Sequence, residues 1–404
     1  MMSDGCILIQ KRAPKMDIPL SHSNARIGPV ITGSVRNRTP TTARKHQHYD
    51  KEKPMAMTLR SGITGRFTVL TFVLYLAADH AAAQPQYSVT DLGTLAGFDS
   101  SQAGSINASG NVAGWSSNTA SKIDHASVWG PLQDLGTLPG FSSTAALAIN
   151  APGQAAGSAY NSTGPSHAFV WTSGVGLTDI HASDTFNSSE ALGINGAGQI
   201  VGQLTNIDGV VHSFLWSSGA GMSDLGAMLD NGFATGINDA GQVVGTSWDD
   251  INGIAFLWTA AAGFTDLGNL PGFQYAWATA INASGQVVGQ VSNNTGPIDG
   301  FLWTAASGMT DLGALAGFAY IQPYAINAGG VVVGEASNDP ASGAAFIWNN
   351  GVMMDLNTLI PSGTGWVLKI AIGINDNGQI TGTGTIGGLT HAFLLTPTVA
   401  QLRR

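Results

Sequence analysis

From Gln84 onward, apolar residues come in short runs that alternate with small or polar positions and break at Asn, Asp, Gly and Ser. Phe301-x-Trp303 puts two aromatics on one side of an extended segment, because strand side chains alternate between faces. Gln286-Val-Val-Gly289 reads as a neighbouring strand, and Trp277-Ala-Thr-Ala-Ile281, small and apolar, as a crowded innermost one. Between them Asn282-Ala-Ser-Gly285 predicts a hairpin turn, since Asn bonds its own backbone there and Gly tolerates a positive φ.

These segments recur in fixed order, seven times each. A T-D-L-G type segment carries Asp91, Asp134, Asp179, Asp224, Asp266, Asp311 and Asp355, at steps of 43, 45, 45, 42, 45 and 44. An A-I-N-x-x-G-Q-V-V-G segment carries Asn107, Asn150, Asn195, Asn238, Asn282, Asn327 and Asn375. An H-A-F-L-W segment is clearest at His167–Trp171 and His212–Trp216, and ends elsewhere at Trp129, Trp258, Trp303, Trp348 and Leu395. A period near 44 residues with four strand-like segments is the spacing of a propeller blade. The expected fold is therefore all-β, a seven-bladed β-propeller. Tyr87–Gly93 is a fourth strand with no third strand before it, and His391–Leu395 a third strand with no fourth after it. The first strand should complete the last blade and close the ring, which also removes exposed edges. An open solenoid would need polar caps at both ends, and none is evident.

The D-L-G, I-N-x-x-G-Q-V-V-G and H-A-F-L-W succession resembles the bacterial extracellular HAF-repeat family, over about residues 87–395. The resemblance implies a secreted repeat protein with no established activity. Ile254, Asp299 and Ala344 replace the repeat His, and Leu395 replaces the last Trp. Some members carry a C-terminal sorting tail. Here the end is Val399-Ala-Gln-Leu-Arg-Arg404, which favours release from the cell.

Charge divides the chain. Residues 1–83 hold 12 of the 16 Lys and Arg and 5 of the 25 Asp and Glu. The remainder carries 4 basic and 20 acidic residues, 4 − 20 = −16, which disfavours a nucleic-acid partner. Basic residues up to Arg66, the apolar run Phe67–Ala78 and the Ala81-Ala82-Ala83 end fit a signal peptide over 57–83. That run is too short to span a membrane. Residues 1–56 then read as a disordered leader or a misplaced start, 84–398 as the propeller and 399–404 as a tail. The single cysteine, Cys6, precedes the mature chain, so packing rather than disulfides must stabilise it.

Candidate chemistry is thin. His125, His167, His212 and His391 fall in neighbouring blades, but third-strand positions in adjacent blades diverge too far to share a metal. The repeat aspartates recur too regularly for an active site and suit turn support. Asp249-Asp250-Ile-Asn252-Gly253 and Asn375-Asp376-Asn377-Gly378 lack the spacing and distal Glu of a calcium loop. No nucleophile elbow, zinc-hydrolase motif or phosphate loop occurs, so no cofactor, metal or enzymatic activity is expected.

Function should sit where the repeat breaks, on loops over a rigid scaffold. The loops between second and third strands differ in every blade and are rich in Ser, Asn, Thr and Gly. Trp115, Tyr160, Trp248, Tyr275, Trp277, Tyr320, Tyr324 and Trp366 lie in or beside them and are the candidate ligand-binding residues, with channel lining as their other reading. The expectation is a secreted, extracellular or periplasmic, monomeric binding module whose partner is a polysaccharide or a cell-surface protein. The alternatives are a glycan-active propeller hydrolase or lyase, using Asp99, Glu190, Asp230 and Asp339, and a structural matrix component.

Overall fold

The computed structural model describes residues 86–181, 186–249, 251–293, 296–339 and 342–398. The leader, signal segment, Cys6 and tail lie outside the described residues. The chain divides into two units, Met1–Ser23 with Gln84–Arg404, and Asn24–Ala83; every described residue belongs to the first.

Among the described residues the structure is all-β apart from one 3-10 turn, Leu356–Thr358. There are five four-stranded sheets and one of eight strands. The eight-stranded sheet is two antiparallel sets of four joined by a single parallel pair, Gly253 with Tyr275. The first set runs Ser100–Ile106, Val112–Asn118, Ile123–Trp129 and Gln133–Asp134, paired in chain order. Tyr87–Asp91 pairs antiparallel with Leu389–Pro397, placing the first strand of the described chain on the outer edge of the last sheet. This is the pairing expected from the repeat phase.

Each hairpin is built by its asparagine. In the third set, Asn195 Oδ1 accepts the Gln199 N–H at 2.9 Å and closes the turn, while Gly198 takes a φ of +76°. The Asn195 Nδ2 then donates to the carbonyl of Asn238 at 3.2 Å. The same donation runs from Asn107 to Asn150, Asn150 to Asn195, Asn238 to Asn282, Asn282 to Asn327 and Asn327 to Asn375. Asn375 donates back to Asn107 at 3.0 Å. Seven side chains thus form one hydrogen-bonded cycle.

The innermost strands slip register by one residue at the same place in all seven sets, two to four residues before the repeat Asn. The bulged residue reaches the neighbouring set: Thr235 Oγ1 donates to the Ala278 carbonyl at 3.0 Å, and Thr279 Oγ1 to that of Pro323 at 2.8 Å. Opposite the bulge stands the glycine that ends Gln-Val-Val-Gly. A Cβ on Gly289 would run into the Trp277 carbonyl and meet the Phe301 ring at 2.8 Å, so only glycine fits.

The core lies between consecutive sets of four strands. Phe301 is fully buried and shares a cluster with Val244 and Ala255 of the preceding set. Phe214 packs likewise on Ala156 and Ala168, and Phe393 on Val333 and Ala345. Ala392 of the last set packs with Ala103 and Val112 of the first. Phe169, Phe256 and Phe346 occupy the same third-strand position, and each such ring buries about 150–250 Å². Among the described residues no helix is long and apolar enough to cross a membrane.

Candidate functional site

The repeat's polar residues are consumed by the scaffold. Every one of the seven repeat aspartates accepts the N–H two residues ahead, at 2.7–2.9 Å, and so shapes the turn leaving the fourth strand. The repeat histidines bond these same carboxylates across to the neighbouring strand. His125, His167, His212 and His391 place Nδ1 at 2.8–3.0 Å from Asp134, Asp179, Asp224 and Asp91. Phe98, Phe141 and Phe186 tilt against the first three imidazoles, with ring centroids 4.8–5.3 Å apart. His181 stacks on His167 at 4.2 Å, and burial, then the neighbouring imidazole, push its pKa down. Where Asp299 stands in the histidine position, burial and the facing Asp311 carboxylate push its pKa up. Among the described residues no group of three or more His, Cys, Asp or Glu is placed to hold a metal ion.

Five of the eight candidate aromatics are buried in strands. Trp115 and Tyr160 share a cluster with Ala145, and the Tyr160 hydroxyl donates to the buried Asp124 carboxylate at 2.6 Å. Tyr275 and Trp277 stack at 5.8 Å over Gly253. Trp366 meets Phe393 edge-on. Trp248, Tyr320 and Tyr324 are half-buried: Trp248 stands edge-on to Phe233 at 5.6 Å, Tyr320 bridges to Ile298, and the Tyr324 hydroxyl donates to Gln322 Oε1 at 2.9 Å. The structure therefore brings Trp115 with Tyr160 across two sheets, and Tyr275 with Trp277 along one strand. It does not assemble the eight into one exposed aromatic surface. The physical reason is position: strand ends lie beneath the loops, and large rings there bury most of their area.

The four candidate acids are spread over different sets. Asp99 is held below the usual carboxylate range by the Thr119 hydroxyl at 2.6 Å and the Thr119 N–H. Glu190 is buried, which pushes its pKa up against the pull of Ser166 and Gln203, 3.1 and 2.9 Å away. Asp230 lies in an exposed crossover, and Asp339 in a turn closed by Ser342.

Sequence reasoning missed a different group. Ile207, Met228 and Ile251 are 78%, 39% and 65% exposed. They occupy three loops that follow one another across one face. Val211, after the first loop, donates its N–H to Asn231 Oδ1 at 2.9 Å, after the second; Asn231 pairs with Trp248, before the third. The signal in the sequence was slight: Ile207 and Ile251 each stand alone between polar residues, and Met228 lies in the short apolar run Ala227-Met228-Leu229. On the opposite face, a cavity of about 200 Å³ opens by Ile106, Ile326 and Ile374, with Asp376 as its charged lining residue. Asp376 accepts the Ala328 N–H at 2.8 Å, and the asparagine amides around it are committed to their cycle.

No protein-family model matches the chain, and no curated protein matches it. Among solved structures, a prolyl endopeptidase is similar over 74% of this chain and 46% of its own, at 9% identity and a TM-score of 0.51. TolB from Acinetobacter baumannii is similar over 72% of this chain, at 11% identity and a TM-score of 0.45. The chain spans 64% of that protein's length. The Dos1 propeller is similar over 77% of this chain, at 12% identity and a TM-score of 0.45. At these identities the likeness concerns the fold alone; the succession of four-stranded antiparallel sets, with the first strand on the last of them, is itself of the β-propeller class.

Proposed function

We propose that the protein is a secreted, HAF-like propeller that binds a protein or peptide partner through its loop face. In this reading the seven sets of four strands are blades of one closed ring. The asparagine cycle from Asn107 through Asn375 and the pairing of Tyr87–Asp91 with Leu389–Pro397 support it. Secretion rests on the basic, apolar and Ala-rich succession of residues 57–83.

One observation carries the binding role. The polar residues of the repeat are spent inside the scaffold, whereas Ile207, Met228 and Ile251 stand exposed on consecutive loops of one face. Exposed apolar side chains grouped on loops mark interaction surfaces. They are aliphatic, which favours a protein or peptide over a polysaccharide, since sugars are gripped by exposed aromatic rings.

The test is capture of extracellular and cell-surface proteins by immobilised full-length protein, beside a glycan array. Ile251→Asp should abolish capture of the specific partner. Val175→Asp, in an exposed hairpin at the other end of the strands, should leave it intact. A glycan signal insensitive to Ile251→Asp, with no protein captured, overturns the reading.

A further inference from the structure

We infer that the surface formed by Ile207, Met228 and Ile251 takes a cationic, aliphatic peptide segment of its partner; this rests on the loop-face reading above. Each apolar side chain has a carboxylate beside it. Ile207 and Asp208 form the exposed tip of a turn that Asn206 closes, with its Oδ1 accepting the Val210 N–H at 2.9 Å. Met228 is two residues before the exposed Asp230. Ile251 is two residues after Asp249, whose carboxylate accepts the Ile251 and Asn252 N–H groups at 2.7 and 2.6 Å. Those backbone hydrogen bonds hold the Asp249 pKa below the usual carboxylate range, so its charge persists into mild acid.

The loops are fixed in place. Leu229 N–H donates to Ser247 Oγ at 2.8 Å, which ties the Met228 crossover to the strand leading to the Ile251 loop. Gln274 Nε2 donates to the Ile251 carbonyl at 3.0 Å and holds that loop from the far side. The sets that carry the three carboxylates supply no Lys or Arg of their own, since none occurs between Lys122 and Lys369. An apolar surface rimmed by one sign of charge is complementary to an apolar segment carrying the other sign, and the charge sets partner choice and encounter rate. A second copy of this chain presents the same acidic rim and would be repelled there.

The experiment uses the full-length protein and labelled short peptides of alternating Leu and Lys, Leu and Glu, or Ser and Lys, read by fluorescence anisotropy. The Leu–Lys peptide should bind, and the Leu–Glu and Ser–Lys peptides should bind about tenfold or more weakly. Ile207→Asp and Ile251→Asp should each cost about tenfold, with circular dichroism unchanged. The double variant Asp208→Asn with Asp230→Asn should weaken binding several-fold and flatten its salt dependence. Leu389→Asp, on an exposed hairpin of the last sheet, serves as the control and should change nothing. Equal binding of all three peptides, or equal loss in Leu389→Asp, overturns the inference as general polyelectrolyte or hydrophobic adsorption. A dimer abolished by Ile251→Asp would make the occupant a second copy. If the peptides fail while protein capture still depends on Ile251, the cationic segment is wrong and the loop-face function stands.

Discussion

The Asn375 side chain donates to the backbone carbonyl of Asn107, 268 residues earlier in the chain, at 3.0 Å. The bond is geometrically the same as the donation between sequence-adjacent repeats, such as Asn150 to Asn195 at 3.1 Å. The longest-range contact in the cycle is thus an ordinary member of it. Asn375→Ala and Asn150→Ala should therefore destabilise alike, by about 1–3 kcal/mol each, because each removes the bond to the neighbouring repeat and the side-chain acceptor that closes its own turn. Urea unfolding followed by tryptophan fluorescence checks this. A much smaller effect for Asn375→Ala would mean the first and last sheets are only loosely joined.

Deleting Tyr87–Asp91 removes the outer strand of the last sheet and the Asp91 partner of His391. The buried Tyr87, packed with Leu359 and Trp366, goes with it. Unfolding should move to lower temperature as a single transition in calorimetry. A separate small transition, with the main one unmoved, would contradict cooperative closure.

The glycine opposite the bulge should be intolerant where other glycines are not. Gly289→Ala forces a methyl into the Trp277 carbonyl and the Phe301 ring, and overpacking of this kind costs about 1–3 kcal/mol or more. Gly219→Ala adds a methyl with nothing within 4 Å and should be near neutral. Comparing the two denaturation midpoints decides it.

The Asp224–His212 pair separates two roles. Asp224 caps its own turn through the Gly226 N–H and also bonds His212, whereas His212 makes only the second contact of the two. Asp224→Ala should lower thermal stability clearly more than His212→Ala. Equal losses would contradict the turn as the larger of the two roles of the aspartate.

Glu190 should make stability fall as pH rises. Its folded pKa is raised by burial, so the folded state holds its proton more tightly than the unfolded chain. That contribution is complete below the unfolded value near 4.5 and is lost as pH climbs through the folded value. Glu190→Gln carries no such proton and should flatten this part of the melting-temperature profile. Identical profiles for both proteins would remove Glu190 as the cause.

Much of the architecture was legible because each repeat carries its own instructions. Asn195 and Gly198 form their turn from local hydrogen bonding and backbone freedom, Asp224 caps its turn within two residues, and Phe214 and Trp216 alternate onto one face of their strand. Seven copies in one order predicted the four-stranded sheets and the pairing of Tyr87 with the last strand.

The candidate site was less legible, for a reason rooted in distance. Whether Trp277 faces solvent or stacks on Tyr275 depends on Gly253, a residue of the preceding set of four strands, and composition carries no record of that neighbour. The same holds for Tyr160, whose hydroxyl finds Asp124 36 residues away. Ile207, Met228 and Ile251 are unremarkable in the sequence. They become a surface only when Val211, Asn231 and Ser247 bind three loops side by side. Local propensity and repetition determined the strands, the turns and their order. Burial and adjacency between strand sets, which are properties of the packed chain alone, decided which side chains became core and which were left exposed.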